Sequence, residues 1–272
     1  MSDAGVLSGN GWEVHTADAL AWLNDYSGET FAAIIADPPY SSGGQMRGDR
    51  TTRPAAKYVQ SDSASQRLPN FEGDNRDQRS FVLWCTLWLM EAWQKCVPGA
   101  TIHLFCDWRQ LPAMTDALQD GGWIWRGIVA WNKTQASRPQ VGRHRAQCEY
   151  ILFGTRGPHK AYEGAPCMPG FYEYQAPHGP SRIHITEKPV ALIRELAQAC
   201  PPGGLVLDPF CGSGAHAVGC LLAGRRVVSL ELVAGIAAEA AERLAAEERG
   251  LTLPDARGGQ MGILDQINHP EE

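Results

Sequence analysis

Apolar residues along this chain come in short blocks, and the blocks alternate between two spacings. Compact β-rich runs fall at residues 12–16, 31–36 (FAAIIA), 101–106 (TIHLFC), 123–131, 149–153, 204–208 (GLVLD) and 226–230. Helical patterns fall between and after them, at 19–26, 81–96, 111–119, 187–200, 215–222 and 234–249. Such alternation predicts an α/β fold with a mostly parallel sheet. Pro98-Gly99 closes the helix over 81–96, and Pro189 is tolerated in the first turn of the helix over 187–200. The strand over 31–36 ends abruptly at Asp37-Pro38-Pro39-Tyr40, because two prolines forbid its continuation.

Three stretches break the pattern. Residues 41–80 are rich in Ser, Gly, Arg, Asp and Gln, with little apolar periodicity. A loop of that length is either functional or disordered. Residues 134–182 hold basic, Gly/Pro-rich loops, and residues 250–272 read as a loose tail. No internal repeat is visible.

Composition narrows the class. The chain has 272 residues with 44% hydrophobic and 20% charged positions, ordinary values for a globular protein. The longest strongly apolar run is residues 81–90, against about 20 needed for a membrane span. No basic start with an apolar core marks a secretory leader, so a cytoplasmic protein is expected. Eight cysteines lack any CxxC pair, which argues for buried free thiols rather than a metal site. The net charge of −6 by itself argues against a general nucleic-acid binder. Its distribution reverses that inference. From Glu231 onward there are nine acids and three bases, a balance equal to the whole net charge. Residues 126–160 carry seven bases and the single acid Glu149, a balance of +6. Arg47, Arg50, Arg53 and Lys57 follow close behind residues 37–40. The chain is polarised, with basic loops on one side and an acidic helix on the other. Basic loops beside a catalytic mouth fit phosphate contacts, although a charge run is more often a solvated face.

Two segments carry chemistry. Residues 204–231 read strand, Gly-rich turn, helix, strand, acid. Glycines let backbone approach a ligand, and an acid at the second strand's tip can accept from ribose hydroxyls. The competing reading is a plain βαβ turn. GxGxxG, a phosphate-cradling GKS or GKT, and GxSxG are all absent, so the turn suits an adenosine ligand without phosphates, such as S-adenosylmethionine. The second segment is Asp37-Pro38-Pro39-Tyr40. A rigid carboxylate beside a bare carbonyl makes a two-point acceptor for an NH2 group, and the tyrosine ring offers a stacking face. Two such hydrogen bonds draw a ring-conjugated amine toward tetrahedral geometry and free its lone pair. The competing reading is a tight strand-to-loop turn.

Together these residues resemble the amino-methyltransferases of DNA that use S-adenosylmethionine. Asp37-Pro38-Pro39-Tyr40 matches the family's (D/N/S)PP(Y/F/W) motif, and Asp208-Pro209-Phe210-Cys211-Gly212-Ser213-Gly214 matches its DPFxGSG motif. His184-Ile185-Thr186-Glu187-Lys188-Pro189 is similar to its HPTEKP segment, with Ile185 for proline, and Trp131-Asn132-Lys133 to the strand before its recognition region. The catalytic motif precedes the cofactor motif, as in the β subgroup.

The resemblance implies a seven-stranded Rossmann-like sheet with helices on both faces and a circularly rearranged motif order. Its catalytic domain would span 1–133 and 183–249, with 41–80 a flexible DNA-side loop and 134–182 a target-recognition region. Asp37, Pro38, Pro39 and Tyr40 would be catalytic. Asp18, Asp37, His184, Thr186, Lys188, Asp208, Phe210, Gly212, Ser213, Gly214 and Glu231 would bind the cofactor. Within that set, Glu231 would hold the ribose, Asp18 the adenine amine, and Thr186 and Lys188 the methionine carboxylate. Arg47, Arg50, Arg53, Lys133, Arg138, Arg143 and Arg145 would contact double-stranded DNA. No metal is implied. A homodimer and a cognate restriction nuclease are candidate partners. DPPY favours adenine N6 over cytosine N4 as the target, and RNA or protein amines are the remaining alternative. Pro166-Cys167 is incidental, since an amine nucleophile needs no thiolate.

Overall fold

The computed structural model describes residues 5–40, 76–134, 141–142, 144–177 and 187–258. Nine strands form one sheet: β1 (Val6–Gly9), β2 (Trp12–Thr16), β3 (Phe31–Ala36), β4 (Cys96–Cys106), β5 (Ile124–Asn132), β6 (Cys148–Thr155), β7 (Phe171–Glu173), β8 (Leu205–Asp208) and β9 (Arg226–Glu231). Their spatial order is β1-β2-β9-β8-β3-β4-β6-β5-β7. From β2 through β9, β8 and β3 to β4, every pairing is parallel. Beyond β4 the sheet turns antiparallel through β6 and β5.

The α/β class and the mostly parallel sheet hold, and the expected seven strands become nine. The two additions are short edge strands. β1 is exposed along its length, and β7 buries only its middle residue, so neither carries an apolar run to detect.

Helices α1 (Ala19–Asp25), α2 (Gln78–Gln94) and α3 (Leu111–Asp120) cover one face. On the other lie α4 (Val190–Leu196), α5 (Ala215–Leu222) and α6 (Ala234–Glu248). Consecutive strand residues point to opposite faces. Ile34 joins Leu23, Trp88 and Leu207 in one core, while Ile35 joins Phe105, Leu192 and Val206 in the other. Both faces are covered, which is why β3 reads as a continuous apolar run rather than an alternating one.

Several boundaries differ from expectation. β4 begins at Cys96 and runs through Pro98-Gly99, which the sequence presents as a helix stop. Its pairing with β3 jumps from Phe31↔Cys96 to Ala33↔Thr101, so the intervening residues bulge, with Gly99 at φ +85°. The helix expected over 187–200 is α4 followed by a 3-10 turn, Ala197–Ala199, because Pro189 is the extended N-cap and not a helical residue. Part of the expected loose tail forms a short helix, α7 (Leu253–Arg257). Leu253 is buried, and Arg257 pairs with Glu239 and Glu242 of α6 at 3.2 and 2.8 Å.

Chain direction explains where a ligand belongs. From β8 the chain winds to β9 on one side, while β3 leads to β4 on the other. Open α/β sheets bind ligands outside the carboxyl ends of the strands at such a switch point. β8 and β3 are parallel neighbours, with Ala33 opposite Val206 and Ile34 opposite Leu207. Asp37 and Asp208-Pro209 therefore leave the sheet side by side.

Candidate active site

A cavity of about 480 Å³ opens at this edge. Asp18, Asp37, Pro38, Pro39, Tyr40, Phe210, Gly212, Ser213 and Glu231 all line it, so the two motifs share one space.

The Gly-rich turn is held by its backbone. Cys211 N–H donates to the Leu230 carbonyl at 2.8 Å, and Gly214 N–H to the Cys211 carbonyl at 3.0 Å. Gly212 and Gly214 sit at φ +50° and +78°, a left-handed region that favours glycine. A Cβ on Gly214 would also come within 3.3 Å of Ala240. Glu231 is locked to this turn: its Oε2 accepts from Gly212 N–H and its Oε1 from Val233 N–H, both at 3.0 Å. Burial pushes its carboxyl pKa up, partly countered by those amides. Each oxygen keeps a second lone pair for a ligand hydroxyl. Phe210 packs edge-on against Trp88 with ring centres 5.1 Å apart. Asp18 caps α1 by accepting from Ala21 N–H at 2.9 Å. An acceptor acid, a close-approach glycine turn and an aromatic face fit an adenosine-type ligand.

Two predicted cofactor residues stand behind the cavity wall. Asp208 is fully buried and does not line it; its Oδ1 lies 3.2 Å from His216 Nδ1. Gly214 does not line it either, and serves as the left-handed N-cap of α5. Ser213 lines it and is braced by a residue with no local motif to mark it. Arg243 donates to the Ser213 carbonyl at 3.1 Å and pairs with Glu187 at 2.8 Å.

The other end of the cavity is built from charged side chains. Tyr40 donates its hydroxyl to Asp37 Oδ1 at 2.6 Å. Lys188, only 4% exposed, donates to Asp37 Oδ2 at 2.5 Å. Lys188 is thus placed on Asp37, where the resemblance implied a methionine carboxylate. Glu149 on β6 completes the group. Its Oε1 accepts from Lys133 at 2.9 Å; its Oε2 lies 3.5 Å from Lys188 and 3.3 Å from the Tyr40 hydroxyl. Burial works against both the Glu149 carboxylate and the Lys188 ammonium. Their opposite charges outweigh it, so the acid is held below its ordinary pKa and the lysine above. Burial, then the charges of Asp37 and Glu149, push the Tyr40 phenol well up, so it stays a donor.

Glu149 was the acid that interrupted the basic stretch, and that isolation was its one signal. Lys133, expected on DNA, spends its ammonium on Glu149 inside the cavity. Arg145 does not line the cavity. Trp108 and Arg109, which belong to no motif, do line it, on a turn where Asp107 accepts from Arg109 and Gln110 N–H at 2.9 and 3.0 Å. Arg47, Arg50, Arg53, Arg138, Arg143, His184 and Thr186 lie outside the described residues. Among the described residues, no group of three or more His, Cys, Asp or Glu could hold a metal ion. No helix there is long and apolar enough to cross a membrane. All eight cysteines are free; six are buried, and Cys167 is exposed.

A sequence model of the N6/N4 DNA methylase family matches residues 31–176 and 167–242. The chain belongs to this family. It is 27% identical over 235 residues to the Escherichia coli (strain K12) protein YubD, covering 86% of this chain and 90% of that one. It is 24% identical over 263 residues to the type II methyltransferase M.HpaI of Haemophilus parainfluenzae, covering 89% and 76%. The fold is similar to the M1.HpyAVI–SAM crystal structure, with TM-score 0.63, 20% identity, and 86% and 98% of the two chains covered. It is equally similar to the cytosine-N4-specific PvuII DNA methyltransferase, with TM-score 0.65, 12% identity and 88% of each chain covered.

Proposed function

We propose that this protein transfers a methyl group from S-adenosylmethionine to the exocyclic N6 amine of an adenine flipped out of duplex DNA. The observation that carries the reading is the shared cavity. The Asp37-Pro38 acceptor pair and the Gly212–Glu231 ligand turn open into one space from adjacent parallel strands. The cofactor, when bound, supplies an electrophilic methyl group. Glu231 accepts from its ribose hydroxyls, and the Phe210 and Gly212–Ser213 wall lies along the same end. At the other end the Asp37 carboxylate and the Pro38 carbonyl accept from the two amine hydrogens. These bonds strengthen as the nitrogen becomes tetrahedral, so they stabilise the transition state more than the bound substrate. Tyr40 gives the flipped base a ring to stack on.

The basic side chains on 41–80 and 134–182 position DNA phosphates, and 134–182 reads the target. Asp37 points to adenine by family association alone, since the two amines are chemically alike. The test is methylation of duplex DNA, followed by digestion to nucleosides and mass measurement. N6-methyladenosine as the deoxynucleoside is expected. N4-methylcytosine would overturn the choice of base, and labelled methyl on RNA or protein but not on duplex DNA would overturn the substrate.

A further inference from the structure

In this structure both oxygens of Asp37 already have donors: Tyr40 on Oδ1 and Lys188 on Oδ2. An incoming amine therefore meets an acceptor whose two oxygens each already hold one donor and offer only their second lone pair. The same two donors share a second neighbour. Glu149 Oε2 lies 3.3 Å from the Tyr40 hydroxyl and 3.5 Å from Lys188 Nζ. Lys133 fixes the other oxygen of Glu149 at 2.9 Å, which leaves Oε2 turned to the pair. Lys188 Nζ is flanked by the Tyr40 and Phe105 rings, 5.4 and 5.3 Å from their centres. It stands between two carboxylates, nearer to Asp37. Two acids and two lysines balance, so transfer of a donor from one carboxylate to the other changes no net charge inside the site.

We propose that Glu149 is a positioning residue that frees Asp37 for the substrate amine, by taking over the Lys188 ammonium and the Tyr40 hydroxyl as the amine arrives. This rests on the reading of Asp37 as the acceptor of the amine. The exchange needs no proton transfer and no bond to break other than hydrogen bonds. Without Glu149, Lys188 stays on Asp37 and competes with substrate for it.

The test is single-turnover methyl transfer with the full chain, saturating cofactor and duplex DNA. Glu149→Gln should slow the methyl-transfer step on the order of a hundredfold, the scale of a misplaced reacting group. KM for DNA and cofactor affinity should stay within about twofold, the pattern of an interaction made only at the chemical step. Glu149→Asp keeps the charge but is one methylene too short, and should lose about tenfold. In a Lys188→Met background, Glu149→Gln should add little, because the competing donor is gone. Thermal melting of each variant reports folding, and if Glu149→Gln does not fold, Glu149→Asp decides. Wild-type transfer rates in the folded variants would overturn the proposal. So would a loss confined to KM, or a full additional loss in the Lys188→Met background. Asp37→Ala separates the two layers. If it retains transfer, the reading of Asp37 fails; if it is inactive while the Glu149 variants are normal, only the exchange fails.

Discussion

The two ends of the cavity are made in different ways. The end proposed for the cofactor is a contiguous stretch, residues 208–231, held mainly by backbone amides and left-handed glycines. The end proposed for the target amine is assembled from side chains far apart in the chain: Asp37 just after β3, Glu149 on β6 and Lys188 before α4. A backbone-built site is stiff because its hydrogen bonds belong to the fold. A side-chain site can exchange partners without moving the sheet. On the proposed assignment, the difference teaches that binding the methyl donor and admitting a large substrate place opposite demands on rigidity.

The sharpest way to break this comparison is Asp37→Ala. Methyl transfer should fall about a thousandfold or more, while calorimetry finds cofactor affinity within a few-fold of wild type. A parallel loss of both would mean that the two ends do not act separately. A second test addresses β4, the strand common to the parallel and antiparallel halves. Burial lowers the His103 pKa from its ordinary 6.5 to about 4. The unfolded chain takes up a proton below pH 6.5 that the folded chain refuses until about pH 4. Stability should therefore fall as pH drops through that window, by about 3 kcal/mol from this group. Urea melts of His103→Met should lack that part of the loss; an unchanged pH dependence would contradict the buried neutral ring.

At the cofactor end, Glu231→Ala removes an acceptor carrying charged hydrogen bonds of about 1.5–3 kcal/mol each. Cofactor Kd should rise roughly tenfold to a hundredfold, with kcat at saturating cofactor little changed. The smallest expected effect is Gly214→Ala. A left-handed alanine close to Ala240 should cost about 1–3 kcal/mol in denaturant stability. No loss would mean that the turn is more adaptable than its hydrogen bonds imply.

The same contrast explains what could be read from sequence. FAAIIA and GLVLD are legible because both faces of their strands are buried, and each ends at a proline that marks the exit. The turn at 209–214 is legible because its glycines are required locally. Glu149 and Arg243 are not, because their decisive partners lie far off in the chain: Tyr40 is 109 residues from Glu149, and Ser213 is 30 residues from Arg243. Their local patterns are those of an ordinary strand and an ordinary helix. The contacts of Lys188 with Asp37 and Glu149 are not legible locally for the same reason. β1 and β7 carry no such pattern, because an exposed edge strand needs no apolar alternation.

One contact near the start of the chain has a use in protein engineering. Glu248, the last residue of α6, accepts from the Trp12 indole at 2.6 Å and from Asn10 N–H at 2.5 Å. The turn after β1 and the end of α6 are thus adjacent in space. A new covalent link from the α6–α7 region to β1, with the chain reopened between β7 and α4, would leave all nine strands paired as they are. The gene for such a permuted chain would encode α4 through α7 first and β1 through β7 last.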